Sequence, residues 1–513
     1  MVDNRNCFFV LNELNGVAAS YTFKNNQELV VMRKIVVIFV LLSVVFLPST
    51  KAIQKTPESS ASGRLIGEIF ANGQQMHYLS ILSDGIGSRL TGSANAHQAV
   101  EAMEAEMKKI GLVNVHREGF KVPVSWERGP AIGTLVSSGD RRLSIASYTW
   151  TPGTSGNVEG DVVLIGSGHP EDIQKVASQL KGKIALAIPS GATLDEVIYN
   201  FYRAPGIAKE VKDAGAIALM IASDKQHSML YTAPVDFNAR VAALPSISLG
   251  AEDVGLITRL MSEGKSPRVR LNISNKLGPA FEAENVVGEI KGSEHPDEIV
   301  VVGAHLDSND LGPGALDNGA GSSAVMESAR AMKVLGIVPK RTIRFVLFMG
   351  EEEGMLGSNA YVREHRAEME KTIAALVMDI GAGRPTGWYS MGRTDLDDQI
   401  RKLMGPLQIF GMSGIEHSAF AATDNAAFMA EGVPNLIMNQ DDSLYFTVHH
   451  TIADTPDKAE PRDFATCTAV LAVTAYTIAD LPERFGRRLS SEEVKKMAAE
   501  FKVEEQWRAT GIW

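Results

Sequence analysis

Cysteine is nearly absent from this chain. Only Cys7 and Cys467 occur in 513 residues, which excludes a disulfide framework and a Cys-rich zinc site. Cys467 lies in an Ala-rich helical pattern and reads as a small buried apolar residue. Excess positive charge is absent too. Lys and Arg number 50 against 61 Asp and Glu, a net charge of −11, so no nucleic-acid partner is expected. No low-complexity tract interrupts a composition that is 45% hydrophobic and 22% charged, which is that of a globular chain. At about 150 residues per unit, two to four structural units are expected.

Long hydrophobic runs are scarce. The apolar stretch at 35–47, within MRKIVVIFVLLSVVFLPSTKA at 32–52, is shorter than the ~20 residues that span a bilayer. Arg33 and Lys34 precede it, and Thr50 and Ala52 supply small residues for cleavage. This is the pattern of a secretory signal peptide. Such a segment belongs at the N-terminus, so residues 1–31 read as an upstream mis-start, with Met32 as the true first residue. The expectation is an exported protein, secreted or periplasmic. Membrane attachment would arise only if the segment stays uncleaved as a short anchor.

What is present is an alternation of strand and helix signals. Ala99, Met103, Met107 and Ile110 recur at helical spacing and stop at Gly111. Ahead of them, DGIGSRLTGS reads as a turn. From about Ser125 to Asn275 short β-branched strands at 162–165, 184–188 and 217–221 alternate with helical patterns at 173–180 and 207–214. The run 244–250 and a helical pattern at 252–261 complete this block. It reads as a separate α/β insert without a cluster of reactive side chains. Beyond it come near-continuous apolar runs at 299–302, 343–348, 374–378 and 436–438, with helical patterns at 322–335 and 464–479 between and after them. Runs of that kind mark strands buried on both faces of a mostly parallel sheet. The charged segment after Pro482, with a capped helix from Ser490 or Ser491, carries no evident chemistry.

The chemistry is concentrated at the ends of those apolar runs. His305 and Asp307 follow the first, in VVGAHLDSNDLGPGALDNGAGSS, and Asp317 lies in the Gly-rich turn after them. Glu351 and Glu352 follow the second, in RFVLFMGEEEGMLGS. Asp379 closes the third, and His450 stands in HHTIADT beside Asp454. Open α/β sheets place their sites at the carboxyl ends of strands. Asp307, two residues beyond His305, is placed to fix the imidazole tautomer. Adjacent carboxylates repel unless a cation lies between them. Two imidazoles with several carboxylates form a ligand set for two zinc ions, with one glutamate left as a general base. Cobalt or manganese would also suit such ligands.

HLDSNDLGPGALDNGAGSS, GEEEGMLGS and HHTIADT together resemble the co-catalytic dizinc exopeptidases, the aminopeptidase and glutamate carboxypeptidase family. The resemblance covers roughly residues 59–485. It implies an α/β fold in which a mostly parallel mixed sheet is flanked by helices. It also implies a peptidase domain at 59–124 and 281–485, a protease-associated (PA) insert at 125–280 and a C-terminal extension at 486–513. Residue by residue, it implies that His305 and Asp379 hold one zinc, Glu352 and His450 the other, and that Asp317 bridges them. Glu351 would be the catalytic base and Asp307 would orient His305. The carboxypeptidase branch of that family tends to carry an acidic residue two positions beyond Asp379, where this chain has Gly381. Asp424, in ATDNAAF, matches a segment near the substrate cleft, although Asn425 stands where many relatives have histidine.

The implied activity is a secreted, zinc-dependent exopeptidase acting on dipeptides or short peptides, either a metallodipeptidase or a carboxypeptidase. An aminopeptidase with the same site and a glutaminyl cyclase-like acyltransferase are the alternatives. A homodimer fits the resemblance. Arg384, Arg393 and Glu353 are the candidates for reading a substrate terminus.

Overall fold

The computed structural model describes residues 60–189 and 194–513. The mis-start, signal-peptide and Cys7 readings lie outside them. Among the described residues no helix is long and apolar enough to cross a membrane.

The main sheet has eight strands: β1 (Val113–Val122), β2 (Phe281–Ile290), β3 (His295–His305), β4 (Arg341–Phe348), β5 (Thr372–Val377), β6 (Pro385–Tyr389), β7 (Gly414–Glu416) and β8 (Asn435–Gln440). Their order is β1-β2-β4-β3-β5-β8-β6-β7. The centre, β4-β3-β5-β8, is parallel, β1 and β2 pair antiparallel, and β6 runs antiparallel to β8 and parallel to β7. Every residue of β4 and β5 is buried, and β3 is buried from Ile299 onward. This follows from sequence. TIRFVL and TIAALV carry no sustained polar alternation, and a sheet covered by helices on both sides suits them. Helices Ala320–Val334 and Pro461–Asp480 supply part of that cover, with Ala324, Val325, Ala469 and Val473 in the same core as Val300 and Val302. The expected α/β sheet flanked by helices is the architecture found.

A second eight-stranded sheet is built entirely from residues between Ala131 and Ile273. Its parallel strands include Val158–Leu164, Ile184–Ala187, Ala218–Ala222 and Ser246–Leu249, and its two faces carry separate apolar clusters. The three-residue strands Arg141–Leu143 and Ile145–Ser147 on its flanks are too short to show a period in the sequence. One stretch differs from its sequence reading. Ser80–Ile86 continues the preceding helix as a wide turn that ends when Gly87 N–H bonds Leu82 O at 2.9 Å. Burial of Leu82 and Ser83 decides this over the turn signal of Gly85.

Arg89, just beyond that turn, is fully buried. Its guanidinium donates to the carbonyls of Leu306 (2.7 Å), Gly87 (3.0 Å), Pro313 (2.7 Å) and Gly314 (2.8 Å). Burial lowers its pKa to about 10, so it remains a cation at neutral pH and clamps the chain between His305 and Asp317. Arg89→Met leaves these carbonyls without a donor. It is expected to destabilise the fold by about 3 kcal/mol or more, read as a shift in the urea midpoint.

Candidate metal centre

His305 is the last residue of β3, Glu351 and Glu352 lie just past β4, and Asp379 lies just past β5. His450 follows the short helix Ser443–Val448 beyond β8. Parallel pairing of these strands brings all their carboxyl ends to one edge, where the side chains converge.

Asp317 is the centre of the cluster. Its Oδ1 lies 3.2 Å from His305 Nε2 and its Oδ2 3.0 Å from His450 Nε2. His305 Nε2 also lies 3.0 Å from Asp379 Oδ1, and His450 Nε2 lies 2.9 Å from Glu352 Oε2. One carboxylate therefore joins two imidazole–carboxylate pairs. Ligand atoms of His305, Glu351 and Asp379 lie within 4.8 Å of one another, as do those of Asp317, His449 and His450. His449 was not singled out from the sequence. Its ring stacks on His450 at 3.8 Å and its Nε2 lies 3.5 Å from Asp317 Oδ2. Its adjacency to His450 was the available signal.

The supports of these groups are main-chain and side-chain hydrogen bonds. His305 Nδ1 lies 3.1 Å from the Asp307 main-chain oxygen and 3.6 Å from its carboxylate. The Asp307 carboxylate accepts instead from Thr91 Oγ1 (3.1 Å) and from the backbone N–H groups of Glu351 (3.3 Å) and Glu352 (3.2 Å). It thus ties the end of β4 to the end of β3. Asp454 accepts from Leu316 N (2.7 Å) and Asp317 N (3.0 Å), holding the turn that carries Asp317. Asn318, joined to Asp317 by a cis peptide, donates to Met378 O at 2.8 Å.

Gly381, where an acidic residue stands in part of the resembling family, has φ +77° and a Cβ there would meet the Tyr445 ring at 3.0 Å. A side chain at that position would be strained. Asp424 is fully buried, and burial lifts its carboxyl to about 7. The neighbouring Phe420, Ala422 and Thr423 line the cavity over the cluster. Glu353 is buried beside Asp307 and Thr91 rather than facing that cavity.

Electrostatics separate the carboxylates. Burial raises Glu351 well above the usual range, and raises Glu352 and Asp379 as well. Burial opposes ionisation of Asp317 also, yet hydrogen bonds from His305 and His450 hold it well below the usual value. Asp317 Oδ2 and Glu352 Oε2 are buried, and both crowd the single His450 Nε2, at 3.0 and 2.9 Å. So many buried carboxylates, with two oxygens converging on one imidazole nitrogen, are the donor set of a divalent cation. The residues present therefore fit a metal pair.

The loop after strand Ala218–Ala222 reaches this centre. Thr232 Oγ1 donates to Asn309 Oδ1 (2.8 Å) and Asn309 Nδ2 donates to Thr232 O (2.8 Å). Asn309 N in turn donates to Glu352 Oε1 at 2.7 Å. Thr232 N reaches His450 O at 3.4 Å, and the Tyr231 ring stacks on His450 at 5.2 Å. Thr232 thus braces Glu352 and His450 together. Thr232→Val keeps the shape but removes the hydroxyl. It is expected to weaken binding at the metal position served by those two residues by about 10–100-fold, read by zinc titration, with the other position unchanged. The C-terminal extension also contributes. Trp507 is fully buried in a cluster with Met355, which lines the cavity.

A buried carboxylate–imidazole cluster at the carboxyl edge of a parallel sheet defines the class, a metal-dependent hydrolase of the open α/β type. Residues 285–475 match peptidase family M28. Carboxypeptidase Q of Mus musculus is 32% identical over 412 residues, covering 80% of this chain and 86% of that protein. The chain belongs to peptidase family M28. A peptidase M28 precursor from Shewanella amazonensis has TM-score 0.77 at 29% identity, over 84% of this chain and 98% of that one. A zinc aminopeptidase from Bacillus subtilis has the same fold, with TM-score 0.62 at 21% identity over 82% of this chain and 98% of that one. The resemblance read from the three motifs therefore holds at the level of the family.

Proposed function

We propose that this protein is a zinc-dependent exopeptidase that hydrolyses dipeptides or short peptides. The observation that carries this is the Asp317 carboxylate, with one oxygen toward His305 and the other toward His450. On this reading His305 and Asp379 would hold one zinc, Glu352 and His450 would hold the other, and Asp317 would be shared between them. Zinc bound there supplies Lewis-acid polarisation of the scissile carbonyl and a water of lowered pKa. Glu351, which lines the cavity, takes a proton from the attacking water and returns it to the leaving amine. Burial raises its pKa well above the usual carboxylate range.

The cavity has a volume of about 180 Å³. This is below the ~300–1,000 Å³ of pockets for larger ligands and suits one residue at a chain end. The 125–280 segment acts as a PA-like insert that shapes the cleft through Tyr231, Thr232 and Phe237. The leader at 32–52 marks the protein for export. Dialysis against a chelator followed by zinc titration tests the central reading. Peptide hydrolysis should vanish and return as two equivalents are restored. Full activity in the metal-free protein would contradict it.

A further inference from the structure

Residues 486–513 follow the stretch 285–475 that matches the family. They fold into helices Ser491–Glu500 and Glu504–Ala509. The first begins at a capping box, in which the Ser490 hydroxyl accepts from Glu493 N (3.3 Å) and the Glu493 carboxylate accepts from Ser490 N (2.9 Å). Val494, Met497 and Ala498 stand at i, i+3 and i+4 and so share one face. With Val503 and Trp507 they join a buried cluster that includes Val377 of β5 and Ile437 of β8. Met355, Ala419 and Ala421 belong to the same cluster, and Phe420 packs against it. Met355 and Phe420 line the cavity over the metal centre.

The polar contacts of this segment point the same way. Between Glu416 and Asn425 the chain forms no helix or strand, so no ladder sets its path. Backbone groups without a ladder need other partners. Here side chains from distant segments supply them. Ala421 N donates to Gln506 Oε1 at 2.9 Å, and Ala421 O accepts from the Tyr202 hydroxyl at 2.9 Å. Phe420 and Ala422, on either side of this anchor, line the cavity, and none of the proposed zinc ligands lies in this stretch. The last helix also holds the turn after the paired glutamates. Asn238 donates from its backbone N to Glu353 O (2.6 Å) and from Nδ2 to Ala509 O (2.9 Å). Asn359 Nδ2 donates to Thr510 O at 3.2 Å and lies 3.4 Å from Gly354 O.

We propose that residues 486–513 set the shape of the substrate cavity, with Gln506 as the positioning residue that fixes the 419–423 wall through the Ala421 N–H. Gln506 acts on where the substrate sits and not on the metal ions. This rests on the zinc exopeptidase reading above and adds to it a determinant of substrate binding that lies outside the family match.

The test compares the zinc-loaded protein with Gln506→Met, which keeps the side-chain length and removes the carbonyl, and with Gln506→Glu, which keeps an acceptor oxygen. Kinetics use whichever of a panel of unblocked dipeptides the unsubstituted protein cleaves fastest. Gln506→Met should raise KM by about three- to tenfold with kcat within about twofold. Gln506→Glu should stay within about twofold in both. Amide hydrogen exchange over residues 417–424 should quicken in Gln506→Met alone. Both variants should keep two zinc ions. An unchanged KM in Gln506→Met would overturn the role of Gln506, even with faster exchange. Loss of zinc with a parallel fall in kcat would overturn it too, as the mark of a merely structural contact, and both results leave the exopeptidase reading standing. No cleavage of any dipeptide by the unsubstituted protein with two zinc ions bound would overturn the exopeptidase reading and this inference with it.

Discussion

Glu351→Gln is expected to lower kcat by about 10²–10⁴-fold while the protein keeps both metal ions. The substitution preserves size and leaves the backbone N–H of residue 351 on Asp307, now at 3.3 Å. It removes only the carboxylate that accepts a proton. A rival assignment is open to measurement, because a Glu351 oxygen lies within 4.8 Å of ligand atoms on His305 and Asp379. Were Glu351 a ligand, the glutamine variant would lose a metal ion along with its turnover. Metal content beside kcat decides between the two, and equal metal loss in Glu351→Gln and His450→Ala would sink the division of labour between the adjacent glutamates.

Asp317→Ala carries the other large effect. A carboxylate that serves one metal position costs that position when it is removed. A carboxylate between His305 and His450 costs both. The expected result is loss of both zinc ions, with affinity falling by more than the ~10–100-fold that follows removal of an outlying partner such as Thr232. Activity should fall below detection. The fold should survive, since the strands of the main sheet are buried independently of the cluster. Retention of one tightly bound zinc ion would show that Asp317 is not shared.

Much of this was legible in the chain, for physical reasons. The runs at 343–348 and 374–378 hold one polar residue between them, Arg344, which a doubly covered strand explains, and they became β4 and β5. His305, Glu351, Glu352 and Asp379 were recognisable because each closes such a run, and the sheet brings those closures together. What escaped depended on contacts between distant segments. Thr232 lies 77 residues from Asn309, and nothing local marks it. His449 was overshadowed by His450, since adjacent histidines on an extended segment would point apart. His450 instead has φ +58°, which turns the backbone and stacks the two rings. Asp307 sits at strand spacing from His305, but its main-chain oxygen lies closer to the ring nitrogen than its carboxylate does. Gln506 gave no signal within EEQWRA. Its meaning comes from the Ala421 N–H it receives, 85 residues away.

Anomalous diffraction at the zinc edge from zinc-loaded crystals tests most directly whether two zinc ions share Asp317. Two peaks are expected, one on either side of the Asp317 carboxylate. The first should be held by His305 and Asp379, the second by Glu352 and His450. A single peak, or a second peak held by His449 without Glu352, would contradict it.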